Sequence, residues 1–404
     1  MATITRKTLK LPEAGVSVTH KAGGPLLFFA PCPRGLSGAL ARELEQLGAA
    51  NLKVGEAGVE FEGAFDLAYV LNLESRLATR ILWRVAHFEY RKEQDVYDGA
   101  RAVRWHAHFG LERTFRVETN AVKAPVKSID FITLKVKDAI ADAFREVFTR
   151  RPDVATREPD VRVHVFLDAR RCTLYLDTSG EPLFKRGRRE QVGEAPLKKN
   201  LAAGLLRLAG WTPEQPLLDP MCGGGTILVE AAEMALALAP GRDRPFGFEK
   251  LARFEPDKWH AVKQAALARA QPVAPRQIFG SDLYGRTVDA ARANLANMGL
   301  ADVVSLKQAN LLELSAPAPS GFIVTNPPYG VRLGEKEELA AFYPELGHLL
   351  KQKFAGWTAH VFSGDPELPR LIRLSATKRT VLYNGAIECR LYEYRMVEGG
   401  NRRA

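Results

Sequence analysis

The chain has 404 residues, 46% of them hydrophobic and 26% charged, and a formal net charge of +10. That length exceeds what one hydrophobic core usually serves, so two or three domains are expected. The composition is that of a soluble globular protein: no apolar stretch reaches the ~18 residues of a membrane span, and the positive charge favours a polyanionic partner without establishing one.

The first 24 residues lack the apolar run and small-residue cleavage site of a signal peptide and are expected to form a flexible tail. Leu26 to Ala30 predicts a buried strand, and a helix over Leu36 to Leu47 ends at Gly48. Val59 to Glu62 predicts a strand, Phe65 to Leu77 a helix, and Ile81 to Phe88 a further strand, which together suggest a small α+β unit. A second such stretch holds the strand Phe115 to Glu118, a basic connection with Lys123 and Lys127, and a helix from about Phe131 to Phe148 carrying Lys135 and Lys137. Val161 to Leu167 and Cys172 to Asp177 both alternate, and Asp168-Ala169-Arg170-Arg171 between them predicts a hairpin turn. Lys185, Arg186, Arg188 and Arg189 then concentrate positive charge; with the four lysines above they are candidate phosphate contacts for a nucleic-acid partner.

From Ala195 onward, short apolar strands alternate with helical patterns, the signature of a doubly wound α/β domain with a parallel sheet. The predicted strands are Leu217-Leu218, Ile278-Phe279, Val303 to Leu306, Phe322 to Thr325 and His360 to Ser363. Cys32, Cys172, Cys222 and Cys389 form no CxxC pair, which argues against a zinc site or disulfide framework and fits a reducing cytoplasm. No metal is expected.

Four of these strand ends carry chemistry. Leu217 to Thr226 reads as strand, tight turn and helix start, and its glycines let a ligand approach the backbone closely. Asp219, Pro220, Gly223, Gly225 and Thr226 are the candidate cofactor residues. No Lys follows the glycines and position 228 is Leu, so both pyrophosphate-binding signatures are absent and a nucleoside cofactor fits better. Asp282, after the second strand, is suited to hold two ribose hydroxyls, although Asp is also a favoured helix cap. Gln308 and Asn310 offer amides that suit an adenine edge, with nothing to choose between them. Asn326-Pro327-Pro328-Tyr329 is the sharpest signal: two prolines leave carbonyls free of competing donors, Asn326 and Pro327 are placed to accept hydrogens from one amino group, and Tyr329 is placed to stack on the ring bearing it.

The order Asp219-Pro220-Met221-Cys222-Gly223-Gly224-Gly225-Thr226, Gly280-Ser281-Asp282, then Asn326-Pro327-Pro328-Tyr329-Gly330 resembles class I S-adenosylmethionine-dependent methyltransferases acting on exocyclic amines. Cys32-Pro33-Arg34-Gly35-Leu36, Leu134 to Ile140, and Gly193 to Lys198 narrow the resemblance to the THUMP-containing RNA guanine-N2 methyltransferases, in particular those acting on 23S ribosomal RNA. The resemblance implies S-adenosylmethionine as cofactor, contacts to it from Pro196 and Lys198, and a Rossmann-like methyltransferase domain preceded by α+β ferredoxin-like and THUMP domains. It implies this domain plan: a tail over 1–24, a ferredoxin-like piece over 25–66, a THUMP domain over 67–178, a basic linker over 179–194, the methyltransferase domain over 195–398 and a tail over 399–404. Fused members of the family carry a second methyltransferase; the ending at Ala404 leads to the expectation of a single activity. The alternatives are guanine-N2 methylation of tRNA, a non-catalytic RNA-binding assembly factor and, least favoured, a DNA amino-methyltransferase. No membrane partner is expected, and the sequence leaves the oligomeric state open.

Overall fold

The computed structural model describes residues 24–187, 197–327 and 335–397, without side-chain detail for 335–339. Two compact units make up the fold. One consists of residues 24–26, Leu82–Asp177 and Glu249–Phe254; the other of Leu27–Ile81, Thr178–Phe248 and the residues from Glu255 onward.

The chain begins with β1 (Leu26–Pro31), α1 (Ser37–Gln46), β2 (Ala50–Val54), β3 (Gly58–Gly63) and α2 (Leu67–Glu74), the three strands lying in the order β2-β3-β1. It continues through β4 (Leu82–Glu89), α3 (Glu93–Arg101), β5 (Phe115–Ala121), α4 (Ile129–Phe148), β6 (Val161–Leu167) and β7 (Arg171–Asp177), whose strands lie in the order β4-β7-β6-β5. The predicted hairpin joins β6 to β7. Asp168 closes its turn, accepting hydrogen bonds from the backbone N–H groups of Arg170 and Arg171 at 2.8 Å each. Ser128 caps α4 by accepting from the Phe131 N–H at 3.2 Å, as expected of Ser just before a helix.

The remainder comprises α5 (Lys199–Ala209), β8 (Leu217–Asp219), α6 (Thr226–Ala235), α7 (Pro256–Ala268), β9 (Ile278–Asp282), α8 (Gly285–Asn297), β10 (Ser305–Gln308), β11 (Gly321–Thr325), α9 (Glu335–Lys353), β12 (Trp357–Ser363), α10 (Leu368–Leu371), β13 (Lys378–Asn384) and β14 (Ile387–Arg395). Seven strands form a sheet of order β10-β9-β8-β11-β12-β14-β13, with β14 antiparallel to both neighbours and the rest parallel. Alternation along the strands divides the core between the two faces. Leu217, Val324 and Phe362 join α5, α6 and α8 in one cluster, while Leu218, Ile323 and Val361 join α9 in the other. Each such fully buried apolar side chain contributes about 1.5–3 kcal/mol. The β13–β14 hairpin and β2 escape the sequence reading. Most of β13 and all of β2 except Leu52 lie away from the buried interior, so their patterns carry little alternation.

A buried charge network fixes the N-terminal segment to the sheet-bearing part of its own unit. Arg76, after α2, lies 3.3 Å from both Glu230 and Glu233 of α6. Arg186 pairs with Glu230 at 2.8 Å, and Arg242 with Glu233 at 2.7 Å. Burial alone would push the Glu233 carboxyl up, but Arg76 and Arg242 outweigh it and hold it below the usual carboxylate range. Nearby, Thr178 donates from both its N–H (3.0 Å) and its hydroxyl (2.7 Å) to the Ile81 carbonyl. For the excursion through Leu82–Asp177, the chain therefore leaves this unit and re-enters it at adjacent points.

Removing one partner from a buried ion network leaves uncompensated charge in a low-dielectric interior, at a cost of about 3–5 kcal/mol. Arg76→Ala should lose stability in that range in urea unfolding, and a loss below about 1 kcal/mol would show the network to be energetically idle.

Candidate active site

The predicted chemistry converges on the carboxyl edge of the parallel strands. Strand β8 lies between β9 and β11, where the strand order reverses, and such a switch point opens a crevice beyond the strand ends. Asp219, Asp282, Gln308 and Thr325 are the last residues of β8, β9, β10 and β11.

Between β8 and α6 the backbone makes two left-handed steps, at Gly223 (φ +52°) and Gly225 (φ +80°), where a side chain would strain the chain. The turn is held from several sides. The Cys222 N–H donates to the Ser281 carbonyl at 2.9 Å, Asn294 Nδ2 donates to the Gly224 carbonyl at 2.9 Å, and Asp282 Oδ2 accepts the Gly223 N–H at 3.1 Å. Asp282 Oδ1 accepts from the Tyr284 N–H at 3.2 Å, while Tyr284 itself occupies the cap position of α8. Asp282 thus braces two loops and does not cap the helix. Each of its oxygens still has lone-pair capacity for hydroxyl donors.

Asp219 is buried at 1% exposure, and its Oδ1 accepts from the Thr325 hydroxyl at 2.8 Å and from the Met221 N–H at 3.3 Å. Burial pushes its carboxyl up to about 7, reinforced by the charge of Asp282 and opposed by the two hydrogen bonds. The Thr325 contact joins the strand ending in the glycine turn to the strand leading into Asn326 and Pro327. Sequence reasoning missed Thr325: a Thr inside an apolar strand gives no sign that its hydroxyl has a carboxylate partner. It also passed over Tyr284, whose ring is 66% exposed beside Asp282.

Other candidates divide as follows. Pro220 and Thr226 sit within the glycine turn and at the start of α6, Asn326 is half-buried and Pro327 buried. Pro328, Tyr329, Pro196, Arg188 and Arg189 lie outside the described residues. Gln308 Nε2 donates to the Leu283 carbonyl at 3.1 Å, and Asn310 Oδ1 accepts the Leu312 N–H at 3.0 Å as the cap of a short 3-10 turn. The Asn310 oxygen is therefore committed locally. Lys198 is exposed at the start of α5, its Nζ 5.0 Å from the Phe184 ring centroid.

The basic candidates behave unequally. Arg186 is a correction: it is 4% exposed, binds Glu230 and the Arg76 carbonyl, and is withheld from any phosphate because it neutralises a buried carboxylate. Lys185 is exposed and pairs with Glu181 at 2.9 Å. Lys123 and Lys127 are exposed, Lys137 pairs with Asp138 at 3.1 Å, and Lys135 lies over the rings of Phe131 and Tyr97. Lys123, with Arg170 and Arg171 of the hairpin turn, lines a cleft of about 480 Å³.

The sheet order, the glycine turn and the acidic residues on adjacent strand ends define a Rossmann-like class I methyltransferase domain. A family model described as the RMKL-like methyltransferase domain matches residues 186–393, a THUMP domain model matches 90–177, and a model described as the RlmL ferredoxin-like domain matches 27–82. The chain belongs to this RMKL-like methyltransferase family. The ribosomal RNA large subunit methyltransferase K/L of Photobacterium profundum is 39% identical over 92% of this chain and 53% of its own length, so the chain spans about half of that relative. A Synechocystis chain provisionally classed as an RNA methyltransferase is 38% identical over 91% of this chain and 96% of its own. A crystal structure of a provisionally classed methyltransferase complexed with SAH matches at 30% identity with a TM-score of 0.85, covering 93% of this chain and 99% of that one.

Asp219 titrates in the folded chain above its unfolded value near 4, so the folded state binds the extra proton. Its contribution to stability is full below about pH 4 and lost as pH rises through about 7. Wild-type stability relative to Asp219→Asn should accordingly fall between these pH values and level off above them in denaturant titrations. A pH-independent difference would mean that Asp219 ionises normally.

Proposed function

We propose that the chain transfers the methyl group of S-adenosylmethionine to the exocyclic N2 of a guanine in 23S ribosomal RNA. The observation that carries this reading is the Asp219–Thr325 hydrogen bond, which ties the cofactor-type glycine turn to the strand delivering Asn326 and Pro327. The similarity to the Photobacterium ribosomal RNA methyltransferase supports the ribosomal target, and the match to a THUMP domain supports an RNA substrate.

The residues present fit the cofactor: Asp282 has acceptor capacity for ribose hydroxyls, Gly223 has nothing within 4 Å of where a Cβ would stand, and the exposed Tyr284 offers a flat face beside them. When bound, S-adenosylmethionine supplies an electrophilic methyl on a sulfonium. Everything else falls to the protein. The guanine amine is a weak nucleophile because its lone pair is delocalised into the ring. Acceptors at Asn326 and Pro327 that hold its two hydrogens turn the lone pair toward the methyl carbon. Tyr329 contributes by stacking on the base once it has left the helix. The new N–C bond forms as the C–S bond breaks, the sulfur keeps the bonding pair, and the amine then releases one proton to solvent. Placement in line is the main catalytic device.

The test has two parts. Nucleoside mass mapping of ribosomal and transfer RNA from cells lacking the protein should show loss of one N2-methylguanosine from 23S RNA. Loss from tRNA alone would move the substrate, and no loss would leave an RNA-binding protein without turnover. In vitro, Asn326→Ala should lower kcat by about 10²-fold with the affinity for S-adenosylmethionine nearly unchanged; normal turnover would remove Asn326 from the mechanism.

A further inference from the structure

The motif Cys32-Pro33-Arg34-Gly35-Leu36 plays no part in the chemistry above, yet it is docked firmly. Gly35 adopts φ +89°, and a Cβ there would stand 2.3 Å from the Val381 carbonyl oxygen of β13. The segment thus lies directly on the β13 backbone, with no room for a side chain at the point of closest approach. Beside it opens a cleft of about 190 Å³, whose wall includes Arg34, Phe184, Lys198, Asn200, Tyr383 and Asn384.

Four properties of this cleft point to one kind of occupant. It offers two aromatic rings, each with a cation over it: the Arg34 guanidinium is 4.1 Å from the Tyr383 centroid, and Lys198 Nζ is 5.0 Å from that of Phe184. The Tyr383 ring is held by its hydroxyl, which donates to Glu388 at 3.2 Å. No acidic side chain lines the cleft among the described residues, although Arg34 also pairs with Glu56 at the surface. Asn200, at 1% exposure, donates through Nδ2 to Thr79 Oγ1 (3.3 Å) and the Leu77 carbonyl (3.4 Å), while its Oδ1 is buried without a donor among the described residues. A buried acceptor without a partner costs free energy that a ligand N–H would recover. The volume is below the roughly 300–1,000 Å³ of sites for drug-sized ligands, which suits a single planar ring system.

Position completes the case. β12 runs parallel to β11, β14 antiparallel to β12, and β13 antiparallel to β14, so β13 ends on the same edge of the sheet as Asn326. Three strand spacings, about 14 Å, separate the two strands, and because Thr325 stands level with Arg379 in the register, Tyr383 lies four residues, about 13 Å, further toward that edge.

We propose that this cleft seats an unstacked base of the substrate RNA, a neighbour of the methylated guanine, with the base against the Tyr383–Arg34 pair, its N–H on Asn200 Oδ1 and its phosphate near Lys198. The inference rests on the RNA-methylation reading above and names a second contact through which that substrate is held. Aromatic stacking on a base contributes about 1–3 kcal/mol and tolerates any base, whereas the amide acceptor adds selectivity for bases carrying an N–H at the right edge.

The test uses the full chain, unmodified ribosomal RNA, and a fluorescein-labelled single-stranded octaribonucleotide as binding probe. Tyr383→Ala should raise KM for RNA roughly tenfold, within the range of one lost stack, with kcat and the affinity for S-adenosylmethionine nearly unchanged. It should weaken octamer binding by a similar factor, and Tyr383→Phe should restore both. Arg34→Ala, at an exposed position, should act in the same direction and guards against a folding artefact at Tyr383. Unchanged KM and octamer affinity in Tyr383→Ala and Arg34→Ala would overturn the proposal. So would tight binding of free guanosine or adenosine monophosphate in the cleft with RNA binding unaffected by the variants, which would make it a small-ligand site. If the wild type transfers no methyl group but the variants still lose octamer affinity, the cleft stands and the proposed activity falls.

Discussion

The hydrogen bond from Thr325 to the buried Asp219 carboxylate is the contact on which the site depends. Its two ends belong to adjacent parallel strands whose loops do different work, one turning sharply through glycines and the other leading into the proline pair. A carboxylate at 1% exposure is tolerated only with donors, and the two it has are the hydroxyl of the neighbouring strand and the N–H of its own turn. The geometry of both loops is thus referred to one buried oxygen. Asp282 does the same on the other side, gripping the Gly223 N–H from β9 and so locking the turn to a third strand.

The strand-end geometry of the candidate site was legible in the sequence because its demands are local. Glycines at 223 and 225 satisfy left-handed backbone, and acidic residues that follow apolar strands fall on the carboxyl edge of a parallel sheet. The strands Leu217–Asp219, Ile278–Asp282 and Gly321–Thr325 were readable for the same reason, being short, apolar and buried on both faces. β10 begins two residues later than its apolar run suggests, since Val303 and Val304 are buried in the turn before it.

What sequence did not disclose depends on partners distant along the chain. Arg186 looked like part of a basic surface because it stands among Lys185, Arg188 and Arg189; only the fold brings Glu230 to it. Arg76 carried no signal at all, yet it satisfies two buried glutamates more than 150 residues away. Thr325, Asn294 and Tyr284 belong to the same class, with roles set by what stands opposite. Charge in a linear pattern reports how many cations there are and leaves open which of them the interior has already claimed.

The pairing of Ile81 with Thr178 has a further consequence. Because Ile81 and Thr178 form one hydrogen-bonded pair, the stretch from Leu82 to Asp177 is an insert at that point of the chain, and joining its two ends would need only a tight connection with a small entropic penalty, although Glu249–Phe254 is a second, shorter excursion into the same unit. Such an arrangement lets one module change its loops, length or even its fold while the other keeps its framework intact.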